Sequence, residues 1–176
     1  MSVQILIGDC ADRLREIEPQ SVQCVVTSPP YYGLRDYGVE GQIGLEETPA
    51  AYIDRLVSVF REVWRVLRDD GTLWLNVGDS YAGGKMGRGD TGQDDLDRRA
   101  KLYGTGQGKA TGPSSGTARK VPAGAKPKAL LMIPARVALA LQADGWTLRS
   151  DIIWCKANAM PESVTDRPTS AHEHVF

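Results

Sequence analysis

Residues 26–32 read Val-Thr-Ser-Pro-Pro-Tyr-Tyr, and this stretch gathers residue types able to grip a conjugated amino group. The hydroxyl oxygen of Ser28 can accept one hydrogen bond and the carbonyl of Pro29 a second. Neither Pro29 nor Pro30 carries an N–H, so no donor competes there, and both φ angles are fixed. Tyr31 offers a flat ring for stacking a base drawn out of a duplex. The lone pair of an exocyclic amine is delocalised into the ring, which makes the nitrogen a poor nucleophile. Two acceptors placed at its protons pull it toward tetrahedral geometry and align it for in-line attack on a methyl sulfonium. The competing reading is structural: a strand ending in an extended Pro-Pro turn beside aromatic core residues.

The elements that must position this corner can be read from apolar periodicity. Residues 3–7 (VQILI) read as a short buried strand broken by Gly8, and Asp9 caps a short helix running to about Glu18 with Leu14 and Ile17 on one face. Residues 22–27 (VQCVVT) read as a second strand, stopped at Ser28-Pro29-Pro30 because proline cannot join a ladder. Residues 31–47 read as a loop. Thr48 and Pro49 then open a helix in which Tyr52, Ile53, Leu56, Phe60, Val63, Trp64 and Leu67 form one apolar stripe, ended by Asp69-Asp70-Gly71. Residues 72–77 (TLWLNV) read as a strand broken by Gly78-Asp79. Pro134 starts a helix through about Asp144, residues 147–155 form a strand, and a further strand starts near the end. Strand–helix alternation predicts an α/β domain with a mainly parallel sheet and helices on both faces, in which ligands bind beyond the carboxyl ends of strands. Gly8-Asp9, Ser28 to Tyr31, and Gly78-Asp79 occupy such positions.

Between Ala82 and Lys128 the composition changes. This segment holds 11 of the 19 glycines and ten Lys and Arg against four Asp, in a chain of 176 residues whose net charge is −1. It reads as a flexible, basic, glycine-rich insertion that can lie along a DNA backbone; otherwise it is an insertion with no role. Cys10, Cys24 and Cys155 form no CxxC pair, and His172 and His174 lie far from them, so no metal site is expected. The three cysteines read as small buried or half-buried hydrophobes in a reducing cytoplasm. The N-terminus lacks the pattern of a signal peptide, and no apolar run approaches a membrane span, which predicts a cytoplasmic protein with no membrane partner.

Val26-Thr27-Ser28-Pro29-Pro30-Tyr31 resembles the signature of the DNA methylases that act on cytosine N4 or adenine N6. The serine form is the one usually assigned to cytosine-N4 enzymes. Gly8-Asp9-Cys10 looks like the family's acidic cofactor-contacting turn, and Gly71 to Asp79 like the strand and turn lining the base pocket. The stretch from Gly145-Trp146 to His172-Glu173, with Asp151, Trp154, Lys156, Asn158, Pro161 and Asp166-Arg167-Pro168-Thr169, resembles a later block, so the likeness covers nearly the whole chain. It implies a Rossmann-like methyltransferase fold over 1–176, incomplete, with the 82–128 insertion within it. It also implies S-adenosyl-L-methionine as cofactor, contacted by Asp9 and Cys10, and double-stranded DNA as substrate, with Ser28, Pro29, Pro30 and Tyr31 catalytic.

One departure from the family pattern stands out. The glycine-rich cofactor loop expected after this block order does not occur before Phe176. Gly104-Thr105-Gly106-Gln107-Gly108-Lys109 has neither dinucleotide nor P-loop spacing. A C-terminal fragment or second subunit supplying that loop is therefore expected, and the alternative is a non-catalytic DNA-binding remnant. Cytosine-C5 methylation is disfavoured because no cysteine follows a proline, and glutamine-amide methylation because Ser28 stands where asparagine would. Arg35, Arg136, Lys156 and Arg167 are candidate DNA contacts, each with a surface-charge alternative; for Arg35 that alternative is a salt bridge to Asp36 or another local carboxylate. Trp64, Trp74, Trp146 and Trp154 read as core. His172 and Glu173 could form an acid–base pair, but a packing or hydrogen-bonding role fits better, since the chemistry needs no strong base.

Overall fold

A computed structural model describes residues 3–83, 87–88, 121–159 and 165–176. Most of the 82–128 insertion lies outside the described residues. Chain order gives α1 (Cys10–Arg15), β1 (Val22–Thr27), β2 (Arg35–Asp36), α2 (Pro49–Val66), β3 (Leu67–Val77), β4 (Gly87–Arg88), α3 (Ile133–Ala143), β5 (Ile152–Cys155) and β6 (His172–Val175). The main sheet has the order β1-β3-β6-β5. β1 and β3 run parallel, with α2 as their crossover, while β6 is antiparallel to both its neighbours. The sheet is therefore mixed. The short strands β2 and β4 pair in parallel as a separate two-stranded sheet, inside what reads by sequence as loop.

α2 organises the core. The Thr48 hydroxyl accepts from the Ala51 N–H, and Pro49 needs no partner in the first turn. Tyr52, Ile53, Leu56, Phe60 and Val63 are buried in one cluster with Leu75 and Val77 of β3 and Ile133, Val137 and Leu141 of α3. At its far end α2 passes into β3 without a loop. Leu67, expected as the last helical contact, is instead the extended first residue of the strand, and Asp69-Asp70-Gly71 lies inside β3. The helix ends there because its last carbonyls are taken from outside: Gln20 and Ser21 donate to Arg65 O and Val66 O. Arg65 in turn donates to Leu14 O and Ile17 O, closing the carboxyl end of α1.

Three expectations about burial are corrected. Residues 3–7 form no strand, and Ile5 and Ile7 are more than three-quarters exposed. Among the described residues no strand pairs with them and no element covers them. Trp64 (52 % exposed), Trp74 (44 %) and Trp154 (56 %) are half out of the core. Trp74 shares a sheet face with the 78 % exposed Val26, and no described helix packs over that face, whereas the opposite face of β3 is buried beneath α2. Trp146 packs at the core edge, its ring edge-on to Trp64 at 4.8 Å. All three cysteines are free and exposed: Cys10 opens α1, Cys24 lies on β1, and Cys155 ends the edge strand β5. α1 is also shorter than expected, and β5 begins at Ile152 rather than at 147.

Candidate active site

Ser28 is the first residue beyond β1, at the carboxyl end of the parallel β1–β3 pair. It is exposed, and Pro29, Pro30 and Tyr31 are half-buried, so the corner opens to solvent rather than into the core. The buried Tyr52 of α2 donates its hydroxyl to Pro30 O at 2.9 Å. No donor among the described residues reaches Pro29 O. The proline pair is thus pinned through the Pro30 carbonyl. Burial, followed by the charges of Glu46 and Tyr31, raises the Tyr52 phenol, which keeps it a neutral donor.

Tyr31 turns back over the end of β3. Its hydroxyl oxygen lies 2.8 Å from Asn76 Oδ1 and 2.9 Å from Glu173 Oε2, and the Ser28 hydroxyl donates to it at 3.3 Å. Ser28 also approaches Asn76 Oδ1 at 3.5 Å. Asn76 Nδ2 donates to His174 O at 3.1 Å, which fixes the amide's orientation. Glu173 is held from its other side by Lys156. Burial alone would raise the Glu173 carboxyl, but hydrogen bonds from Lys156 and Tyr31 and the lysine charge outweigh it and hold it below the ordinary value. Desolvation pushes the Tyr31 phenol up to about 12, with Glu173 adding to the rise and Ser28 opposing it. Gly78 is what lets the ring settle: a Cβ there would stand 2.5 Å from Tyr31 Cε2. Asp79, next along, does separate work. Its Oδ1 accepts from Ser80 N at 2.7 Å and Ile133 N at 2.9 Å, capping α3, whose own N-cap Met132 has φ 55 and no side-chain cap bond.

The other candidate residues fall in different places. Asp9 is exposed and caps α1 through Oδ1 to Ala11 N at 2.8 Å, leaving Oδ2 for other use, and Cys10 follows it, exposed. Arg35 and Arg136 are exposed and pair with no carboxylate among the described residues; Asp36 accepts from Gly38 N instead. Lys156 is occupied by Glu173. The Arg167 guanidinium lies 3.7 Å from the centre of the Tyr81 ring, at the foot of the insertion, and Lys128 at the opposite foot pairs with Asp166. Glu173 does not pair with His172; His174 Nδ1 lies 2.9 Å from Asp151 Oδ1. Asn76 and Glu173 form a network with Tyr31 that the sequence left unconnected. The available signals were a lone asparagine in the apolar strand TLWLNV and a glutamate in the final strand. An open cleft of about 860 Å³ lined by Trp64, Trp74, Trp146, Ile152 and Phe176 shares none of the site residues and is not the seat of this chemistry.

A family model described as DNA methylase matches residues 22–176. The chain is 52 % identical over 169 residues to the type II methyltransferase M.XycI of Xanthomonas campestris pv. cyanopsidis, covering 96 % of this chain and 51 % of that protein. It is 49 % identical over 175 residues to the type II methyltransferase M.SmaI of Serratia marcescens, covering 99 % and 55 %. The chain thus spans about half the length of the curated relatives it matches. Two solved structures share the fold. The PvuII DNA methyltransferase, described as cytosine-N4-specific, gives a TM-score of 0.60 at 19 % identity over 96 % of this chain and 46 % of that one. A Thermus thermophilus protein, TTHA0409, described as a DNA modification methylase and solved with S-adenosyl-L-methionine, gives 0.56 at 23 % identity over 96 % and 52 %. The fold is therefore the Rossmann-like one of DNA methyltransferases.

Proposed function

The chain belongs to the DNA methylase family, and from that premise we propose that it forms the base-holding part of an enzyme that methylates cytosine N4 in double-stranded DNA. One observation carries this reading. The exposed Ser28 and the half-buried Pro29 follow one another at the open end of β1, while Pro30 O is tied off by Tyr52. Two acceptors free of competing donors suit an amino group with two protons. Tyr31 supplies a ring beside them for an extruded base. The serine form of the corner favours cytosine, as does the likeness to a protein described as cytosine-N4-specific. Adenine N6 is the second reading, because an adenine amine offers the same two protons.

S-adenosyl-L-methionine would supply an electrophilic methyl group. Asp9 fits its nucleoside end: the carboxylate is exposed and keeps one oxygen free of the α1 cap, as an acceptor for hydroxyl or amino protons. Cys10 lies beside it. A glycine-rich loop completing the cofactor site is expected from a C-terminal segment or a second subunit, and the sheet face carrying Val26 and Trp74, over which no described helix packs, gives such a segment apolar surface to pack on. Arg35, Arg136 and Arg167 and the 82–128 insertion are assigned to the DNA phosphates. Lys156 is assigned to Glu173 first and to DNA second.

The test is incubation of duplex DNA with S-adenosyl-L-methionine labelled in its methyl group, followed by digestion to nucleosides. The protein is supplied alone and with a relative's C-terminal half. N4-methylcytosine is the expected product. N6-methyladenine would transfer the assignment to the second reading, and no labelled base under either condition would leave a DNA-binding remnant.

A further inference from the structure

We propose that Glu173 is a positioning residue that fixes the direction of a hydroxyl chain, Ser28 to Tyr31 to Glu173, and so keeps the lone pairs of Ser28 Oγ turned outward to a target amine. The inference rests on the base-holding role proposed for Ser28. It follows from counting protons. Tyr31 has one hydroxyl proton and two acceptors at similar range, Asn76 Oδ1 at 2.8 Å and Glu173 Oε2 at 2.9 Å. Asn76 cannot turn to donate without giving up its bond to His174 O. Between an amide oxygen and a carboxylate the charged acceptor wins, since charge-assisted hydrogen bonds are roughly twice as strong as neutral ones. Lys156, paired with the same carboxylate, keeps it ionised.

With the Tyr31 proton committed to Glu173, the lone pairs of the Tyr31 oxygen face Ser28. The Ser28 proton then has two inward acceptors, Tyr31 Oη at 3.3 Å and Asn76 Oδ1 at 3.5 Å, and its own oxygen is left to accept from outside. With the direction reversed, Tyr31 would donate to Ser28 and occupy one of its lone pairs. The Ser28 proton would lose its nearer inward acceptor, keeping only Asn76 Oδ1 at 3.5 Å against the outward direction where it meets the amine donor against donor. Glu173 never touches the amine in this arrangement. It acts through Tyr31.

The experiment incorporates ring-fluorinated tyrosine into the chain and follows the Tyr31 fluorine resonance, assigned by its loss in Tyr31→Phe, through a pH titration. Fluorine lowers phenol pKa values and keeps the titration clear of alkaline unfolding. Glu173→Gln removes the charge that raises Tyr31, so its midpoint moves down. Lys156→Met removes a cation and leaves the carboxylate facing Tyr31, so its midpoint moves up. Opposite signs from two variants on one network are expected only if the carboxylate governs the Tyr31 proton. No movement in Glu173→Gln, or movement of both variants in the same direction as in a loosened pocket, would overturn the proposal. In a preparation that methylates DNA, Glu173→Gln lowers the single-turnover rate about tenfold or more with cofactor Kd unchanged, and a wild-type rate would overturn it equally. A wild type that methylates nothing counts against the proposed function, while the fluorine titration still decides the chain's direction.

Discussion

At the scale of single residues, the site separates groups that face outward from groups that hold them. Ser28 is exposed at the strand end; Tyr52, Asn76, Glu173 and Gly78 sit behind it and constrain where the corner and the Tyr31 ring lie. If the outward oxygens align the amine, Ser28→Ala removes one of two acceptors and lowers turnover by roughly 100-fold, the scale found when one preorganised hydrogen-bonding group is removed. Tyr31→Ala has a comparable effect by removing the stacking surface. Both leave the fold intact, since Ser28 is exposed and the half-buried Tyr31 lies outside the apolar core cluster. Circular dichroism and single-turnover rates check the pair, and wild-type rates in both variants would move the pocket elsewhere. Ser28 and Tyr31 were legible because proline punctuation and a stacking aromatic are local patterns. Asn76 and Glu173 were not, because their value depends on a partner 45 and 142 positions from them along the chain, and only the mixed sheet brings them together.

At the scale of elements, the base-pocket strand and α3 are joined by one side chain. Asp79 follows the turn that ends β3 and satisfies the N–H of Ile133, the first residue of a helix whose own N-cap offers no side-chain bond. Asp79→Ala should therefore cost about 1 kcal/mol, the usual loss when a helix cap is removed, and Asp79→Asn should recover most of it by keeping Oδ1 as acceptor. Urea unfolding of the three proteins measures this, and equal midpoints would show that water replaces the cap at no cost. α2 was legible almost to its end, because Thr48, Pro49 and an apolar stripe define a helix independently of context. Its last residues were misread because the switch to strand at Leu67 is set by N–H groups arriving from Gln20 and Ser21, which no pattern within α2 encodes.

At the scale of the whole molecule, charge is divided between body and insertion. The net charge of −1 hides ten Lys and Arg against four Asp in residues 82–128. The feet of this segment are fixed: Ala82 N donates to Ala129 O at 2.8 Å and Leu131 N to Ser80 O at 2.9 Å, and Arg167 stacks on Tyr81. If the segment tracks phosphates, DNA affinity falls steeply with salt, and deleting residues 84–120, which hold eight of its ten Lys and Arg, lowers the slope of log K against log [salt] by about 0.9 for each phosphate that the shortened chain no longer neutralises. Filter binding or anisotropy across a salt series reads this directly, and identical slopes would remove the insertion from the interface.

The sequence by itself determined the corner, the family resemblance and the alternation of strands and helices, because each is written in residue type and short-range spacing. Only the tertiary structure decided which apolar residues are covered. Val3 to Ile7, Trp74 and Trp154 read as core, yet burial is a property of two packed surfaces, and no described layer lies over them. The tertiary structure likewise decided that Lys156 faces Glu173 and that Glu173 faces Tyr31. Hydrogen-bond partners across antiparallel β6 are set by register, which is a relation between strands rather than a feature of any one of them.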